Sequence, residues 1–131
     1  MRVLFTTIPG YGHFHPLVPF ARALADAGHE LAVATHAASA SAVAHSGFRH
    51  VPAGFQGDFH AVFPQARTMA VPDFVAFMQR EIFGAFRPRH MVPDLLAFAA
   101  TWRPDLIVRE EREYGGCIAA EALGLPMPRC A

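Results

Sequence analysis

Short apolar runs alternating with segments of helical period narrow the possible folds of this chain more than any other feature. Val3-Leu4-Phe5-Thr6-Thr7-Ile8, Leu31-Ala32-Val33-Ala34-Thr35, the brief Phe48 to Val51 and Leu106-Ile107-Val108 read as strands. They lack the polar alternation of a half-exposed strand, so both faces should be buried. A fifth strand is expected from Met127 onward. Pro16 stands where a first helical residue tolerates proline. After it Leu17, Phe20, Ala21 and Leu24 follow the i, i+3, i+4, i+7 spacing of an amphipathic helix that Gly28 stops. An alanine-rich helix runs from Ala37 to Ser46. No clean period spans Pro52 to Thr68, where Gly54, Gly57 and Pro64 intervene, and this stretch reads as a loop. Further helices are expected from about Asp73 to Phe86, from about His90 to Thr101, and from Tyr114 to Leu123 before Gly124.

Strands and helices joined in this alternation imply an α/β fold, a Rossmann-like parallel sheet with helices on both faces. Right-handed crossovers give the strand order 3-2-1-4-5. The loops after strands 1 and 4 then meet at the switch point, where such sheets bind ligands.

At 131 residues the chain has room for one domain. Hydrophobic residues make up 53% and charged residues 17%, with a mean hydropathy of +0.23, which excludes a disordered tail. The excess suggests apolar surface that a continuation, a partner or self-association into a homo-oligomer would cover. Eleven basic and eleven acidic residues cancel without any run of like charge, so no nucleic acid or anionic membrane is expected as a partner. Arg22, Asp26 and Asp94 interrupt the apolar stretches before any reaches a membrane span. The apolar run after Arg2 is too short for a signal-peptide core. Cys117 and Cys130 show no metal or redox spacing, and a cytoplasmic chain with reduced thiols is expected.

The turn Pro9-Gly10-Tyr11-Gly12-His13-Phe14-His15-Pro16 carries the chemistry. Gly10 and Gly12 match the first two glycines of a dinucleotide fingerprint, but His15 stands at the third. Thr35-His36 replaces the acid that would hold a ribose, and no Gly-Lys-Ser/Thr follows to make a P-loop. Neither a dinucleotide cofactor nor a metal is expected, since His13-Phe14-His15 lacks a third ligand at metal spacing. What remains is His13 in a Gly-rich turn at the carboxyl end of the first strand. With an unperturbed pKa of about 6.5, a histidine there can act as a general base. A loop histidine without chemistry is the alternative, and His15 is expected to cap or pack at the helix start.

The segment from Phe5 through Gly12-His13-Phe14-His15-Pro16 to Leu24 resembles the opening of family 1 glycosyltransferases. These are GT-B enzymes that include the actinobacterial transferases of antibiotic biosynthesis. Arg103-Pro104-Asp105-Leu106-Ile107-Val108-Arg109-Glu110, and Glu113 through Glu121, resemble the fourth strand and following helix of the actinobacterial members. Residues 53–100 match in character only.

The resemblance implies an incomplete N-terminal acceptor-binding domain over residues 1–131, with the C-terminal nucleotide-sugar domain absent. It implies that His13 removes a proton from an acceptor hydroxyl. That hydroxyl then attacks the anomeric carbon of a UDP- or dTDP-sugar with inversion, and no metal takes part. A carboxylate after the fourth strand would orient the imidazole. Glu113 is preferred for that role because it begins the helix, and Glu110 is second; alternatively residues 109–113 form an exposed, self-neutralising charge cluster. Gly12, Phe14, Phe59, Phe63, Phe74, Phe77 and Phe83 are the expected acceptor-binding residues, suited to a hydrophobic, ring-containing natural product. Phenylalanines at helical spacing are also ordinary core residues. Alone, such a chain is expected to be inactive as an enzyme. A non-catalytic small-molecule-binding or interaction module that needs a separate partner is the competing function.

Overall fold

A computed structural model describes residues 1–126 and Pro128. In chain order it comprises β1 (Arg2–Thr6), α1 (Tyr11–Phe14), a 3-10 turn (His15–Leu17), α2 (Val18–Asp26), β2 (Glu30–Thr35), a 3-10 turn (Ala37–Ser39), α3 (Ala40–His45) and β3 (Arg49–Pro52). There follow α4 (Phe59–Val62), a 3-10 turn (Pro64–Arg67), α5 (Val71–Phe77), a π-helix (Met78–Phe86), α6 (Arg87–Trp102), β4 (Leu106–Arg109) and α7 (Gly115–Leu123). The fifth strand expected from Met127 lies outside the described residues.

The sheet is parallel throughout, in the order β3-β2-β1-β4. Alternation along each strand divides its side chains between two cores. Val3, Phe5, Leu31, Val33 and Val108 pack with Leu17, Ala21 and Val43 on the α2/α3 face. Leu4, Ala32, Ala34, Val51 and Ile107 pack with Met91, Leu95, Trp102, Ala119 and Ala120 on the other. Small strand residues on that second face leave room for the large side chains of α6. The alanines of α7 let it lie close to both α6 and β4. At the far edge the Arg2 guanidinium donates to Trp102 O at 2.9 Å and the Trp102 indole donates to Glu30 at 3.1 Å, tying the end of α6 to β1 and β2.

Three expectations need correction. The helix after β1 begins at Tyr11, not at Pro16, because the Gly10 carbonyl accepts from the His13 and Phe14 N–H groups, each at 3.2 Å. His13 therefore stands in a helical turn. The stretch from Pro52 to Thr68 holds two short helical pieces, one capped by the Asp58 carboxylate accepting from His60 N at 2.9 Å. Finally, no break separates two helices near Arg87-Pro88-Arg89. The π-helix runs directly into α6, with the Arg87 N–H donating to the Ile82 carbonyl five residues back. That wider turn, together with the place of Pro88 in the first turn of α6, absorbs the missing proline N–H.

Phenylalanines between Phe59 and Phe86 form a third cluster over the carboxyl edge of the sheet. Ile8, Ile82 and Phe83 are buried there beneath Phe59, Phe63, Phe77 and Phe86. Phe63 meets Phe86 edge-on with ring centroids 4.8 Å apart, a geometry that aromatic pairs favour.

Ile107 is fully buried at the centre of the α6/α7 core. Ile107→Ala should lower the unfolding free energy by about 2–5 kcal/mol, measured as a lower urea midpoint at unchanged slope.

Candidate functional site

The site lies where β1 and β4 end side by side. Their register pairs Thr6 with Arg109, and the Glu110 N–H extends the ladder by donating to Thr6 O at 2.9 Å. β1 turns away through Gly10, whose φ of 125° is a conformation that a side chain would strain. That turn starts α1 at once and brings His13 back over the end of β4. His13 Nδ1 and Glu110 Oε1 are 3.0 Å apart, with side chains 30% and 12% exposed.

A carboxylate can only accept, so this pairing places the hydrogen of the neutral ring on Nδ1 and leaves the Nε2 lone pair available. The second Glu110 oxygen is buried without a hydrogen-bond partner. Arg109 shapes the rest of the loop: its Nη1 donates to the carbonyls of Glu110 at 3.2 Å and Glu111 at 2.6 Å, and its guanidinium lies 5.2 Å from the Tyr114 ring centre.

Glu113, the preferred partner of His13 on sequence grounds, is elsewhere. It is 2% exposed, and its two oxygens accept from the Gly115 and Gly116 N–H groups at 2.6 and 2.7 Å. The carboxylate thus caps α7, satisfying two of the N–H groups that a helix start leaves unpaired. A side chain at Gly115 would meet Glu113 and Met91, each at 2.7 Å, and one at Gly116 would strike Thr6 Oγ1. Burial pushes the Glu113 carboxyl above the usual carboxylate range. The neighbouring Thr6 hydroxyl, the Gly116 and Gly115 N–H groups and Arg109 oppose that rise without cancelling it. The alternative of an exposed charge cluster is also corrected: Glu111 and Arg112 are exposed, while Glu113 is buried.

An open apolar groove of about 610 Å³ runs from His13 and Gly12 between α2 and β4, floored by Phe5, Leu106 and Val108. Gly12 faces open space beside the histidine. The phenylalanines are less uniform than expected. Phe14, 4% exposed, faces the α2/α3 core, and Phe83, 5% exposed, is the centre of the aromatic cluster. Helical spacing turns both inward, and neither borders the groove that holds His13. Phe59, Phe63 and Phe77 are partly buried around Phe83, and Phe74 is 37% exposed on α5. His15 stacks on Tyr11 with centroids 4.9 Å apart. Sequence reasoning passed over Phe55 and Arg87, which border a second, smaller crevice with Glu113. Only the long separation between these residues and the β1 turn hid them.

A parallel sheet in this order, with a histidine–glutamate pair at its switch point, defines a Rossmann-like α/β domain. The family model for the N-terminal domain of erythromycin biosynthesis protein CIII-like proteins matches residues 67–131. The chain is 32% identical over 95% of its length to the 10-deoxymethynolide desosaminyltransferase of Streptomyces venezuelae, of which it covers 34%. It is 33% identical, again over 95% of its length, to the tylactone mycaminosyltransferase of Streptomyces fradiae, of which it covers 32%. Among solved structures, the glycosyltransferase SnogD from Streptomyces nogalater is 36% identical with a TM-score of 0.78, over 97% of this chain and 33% of that one. The glycosyltransferase SsfS6 of Streptomyces sp. SF2575 is 29% identical with a TM-score of 0.83, over 97% and 38%. SsfS6 has also been solved with thymidine diphosphate. The chain belongs to this family of actinobacterial antibiotic glycosyltransferases and corresponds to its N-terminal, GT-B part. It spans about a third of the length of the curated relatives it matches.

The raised Glu113 pKa sets a pH dependence. An acid whose folded-state pKa exceeds its unfolded value binds more protons when folded, so the stability it confers is present below the unfolded pKa and lost as pH rises through the folded one. Urea titrations of the wild-type chain should show this decline from the ordinary carboxylate range upward. Glu113→Gln should remove that component of the slope, while lowering stability at every pH by about 1–3 kcal/mol because its amide cannot accept both helix N–H groups.

Proposed function

We propose that this chain is the acceptor-binding half of an inverting glycosyltransferase that moves a sugar from a nucleotide sugar to a hydroxyl of a hydrophobic natural product. The observation that carries the reading is the His13–Glu110 pair, 3.0 Å apart at the switch point and beside the apolar groove. Glu110 fixes the tautomer and orientation of the imidazole. Nε2 takes the proton of the acceptor hydroxyl as the oxygen attacks the anomeric carbon, and the bond from that carbon to the diphosphate oxygen breaks. A single displacement inverts the carbon and releases nucleoside diphosphate. The imidazolium formed is stabilised by the Glu110 carboxylate, the logic of an orienting acid behind a general base. The donor, a dTDP- or UDP-sugar, is held by a second domain of the kind its relatives' greater length provides. The thymidine diphosphate complex of SsfS6 supports the first nucleotide.

The test joins this chain to the C-terminal part of a relative such as the desosaminyltransferase and supplies that relative's nucleotide sugar with a macrolactone. Sugar transfer is expected from the joined protein and not from the chain alone. His13→Ala should lower kcat about 10²–10⁴-fold, and Glu110→Gln should lower it in the same direction without weakening acceptor binding. Undiminished turnover by His13→Ala would remove the base assignment. Product from the chain alone would overturn the half-site reading.

A further inference from the structure

The Glu110 side chain does little by itself to hold its place against His13. Among the described residues its carboxylate takes part in one hydrogen bond, between Oε1 and His13 Nδ1 at 3.0 Å, and the buried Oε2 has no partner. A carboxylate so lightly held takes its direction from the backbone that carries it. On the amino side the sheet fixes that backbone, because the Glu110 N–H donates to Thr6 O at 2.9 Å. On the carboxyl side the chain has left the ladder. There the Glu110 carbonyl accepts from the Glu113 N–H at 3.1 Å and from Arg109 Nη1 at 3.2 Å.

Arg109 reaches further along the same loop. Its Nη1 also donates to the Glu111 carbonyl at 2.6 Å, so one nitrogen spans two consecutive peptide groups. The guanidinium lies 5.2 Å from the Tyr114 ring centre, a cation–π contact that seats it from the far end of the loop. Among the described residues no carboxylate is within ion-pair distance of it. Its charge therefore strengthens hydrogen bonds to main-chain carbonyls, bonds worth more than those from a neutral donor. Because Arg109 pairs with Thr6 in the sheet, the clasp runs from a rigid strand end to the turn beyond it. Lengthening the 3.0 Å contact between His13 and Glu110 by about 0.6 Å would take it out of hydrogen-bond range.

We propose that Arg109 is a positioning residue for the transfer reaction: by clasping the Glu110 and Glu111 carbonyls it aims the Glu110 carboxylate at His13 Nδ1. The hydrogen of the neutral ring then stays on Nδ1 and the lone pair on Nε2. The inference rests on the reading of His13 and Glu110 as base and orienting acid. Arg109 acts through Glu110 and need not touch either substrate.

The test reads the tautomer of His13 in the 131-residue chain from the ring ¹⁵N signals of labelled histidine, at a pH where the ring is neutral. The chain has eight histidines, and those signals are the ones that His13→Ala removes. Wild type should carry the hydrogen on Nδ1, and Glu110→Ala should move it toward Nε2, the form an unrestrained histidine prefers. Arg109→Met should move it in the same direction while the amide spectrum of β1 and β2 stays folded. Arg109→Gln, which keeps the loop polar, should do likewise and decides the matter if the methionine variant does not fold. Arg109→Lys should restore part of the Nδ1–H form, since its ammonium can donate but lacks the planar group that lies on Tyr114. In the joined enzyme Arg109→Met should lower kcat about 10–10²-fold with the acceptor KM unchanged, as expected for a misplaced catalytic group. A folded Arg109→Met or Arg109→Gln with the wild-type tautomer would overturn the inference, as would a lysine variant no better than methionine. If the tautomer answers to Glu110→Ala and not to Arg109, this inference alone fails. If it answers to both and turnover survives His13→Ala, only the catalytic reading fails.

Discussion

The buried carboxylate of Glu113 holds the site together. Accepting from two consecutive helix N–H groups, it fixes where α7 begins and therefore how residues 110–114 are drawn between β4 and α7. That short path also carries Glu110, which faces His13 from the neighbouring strand end. A helix start needs an acceptor for its free N–H groups, and here the requirement is met by a charged group almost out of contact with water. The two glycines beside it are the condition for that arrangement, since any side chain there would occupy the carboxylate's place. One structural carboxylate thereby lets a second, three residues earlier, serve the histidine.

The sheet supplies the rest of the geometry. Because β1 and β4 are neighbours that point the same way, the segments leaving them diverge from a common point. The turn at Gly10 sends α1 back across that point without a spacer, so a histidine only three residues into the turn overlies the adjacent strand. On one side of this turn lies the broad groove that contains His13. On the other lies the narrower crevice bordered by Arg87. The two cavities are separated by the β1 turn and linked by the loop after β4, which contributes Glu110 to the first and Glu113 to the second.

Much of this was legible in the residues. Uninterrupted apolar runs identify strands buried on both faces, and their order dictates the switch point and the prominence of His13. The choice between Glu110 and Glu113 was not legible. It depends on the ladder between β1 and β4 continuing one residue past Arg109, and on which carboxylate the helix end captures. Both glutamates satisfy any rule based on composition and distance from the strand. The aromatic segment was read for its character and not its packing: Phe14 and Phe83 turn inward because their helices do. The run through Arg87-Pro88-Arg89 reads as a break because proline usually ends a helix, and no residue pattern signals five-residue hydrogen bonding.

That π-helix has a consequence for how such a chain can change. A π turn holds more residues per turn than an α-helix, and it converts to α geometry when a residue is removed. A residue deleted between Met78 and Phe86 is absorbed by tightening this nine-residue run toward α geometry, so α6 keeps the face that it turns to the sheet and to α7. The run therefore works as slack in the chain: the aromatic segment can change in length while α6, the sheet and the His13–Glu110 pair stay as they are.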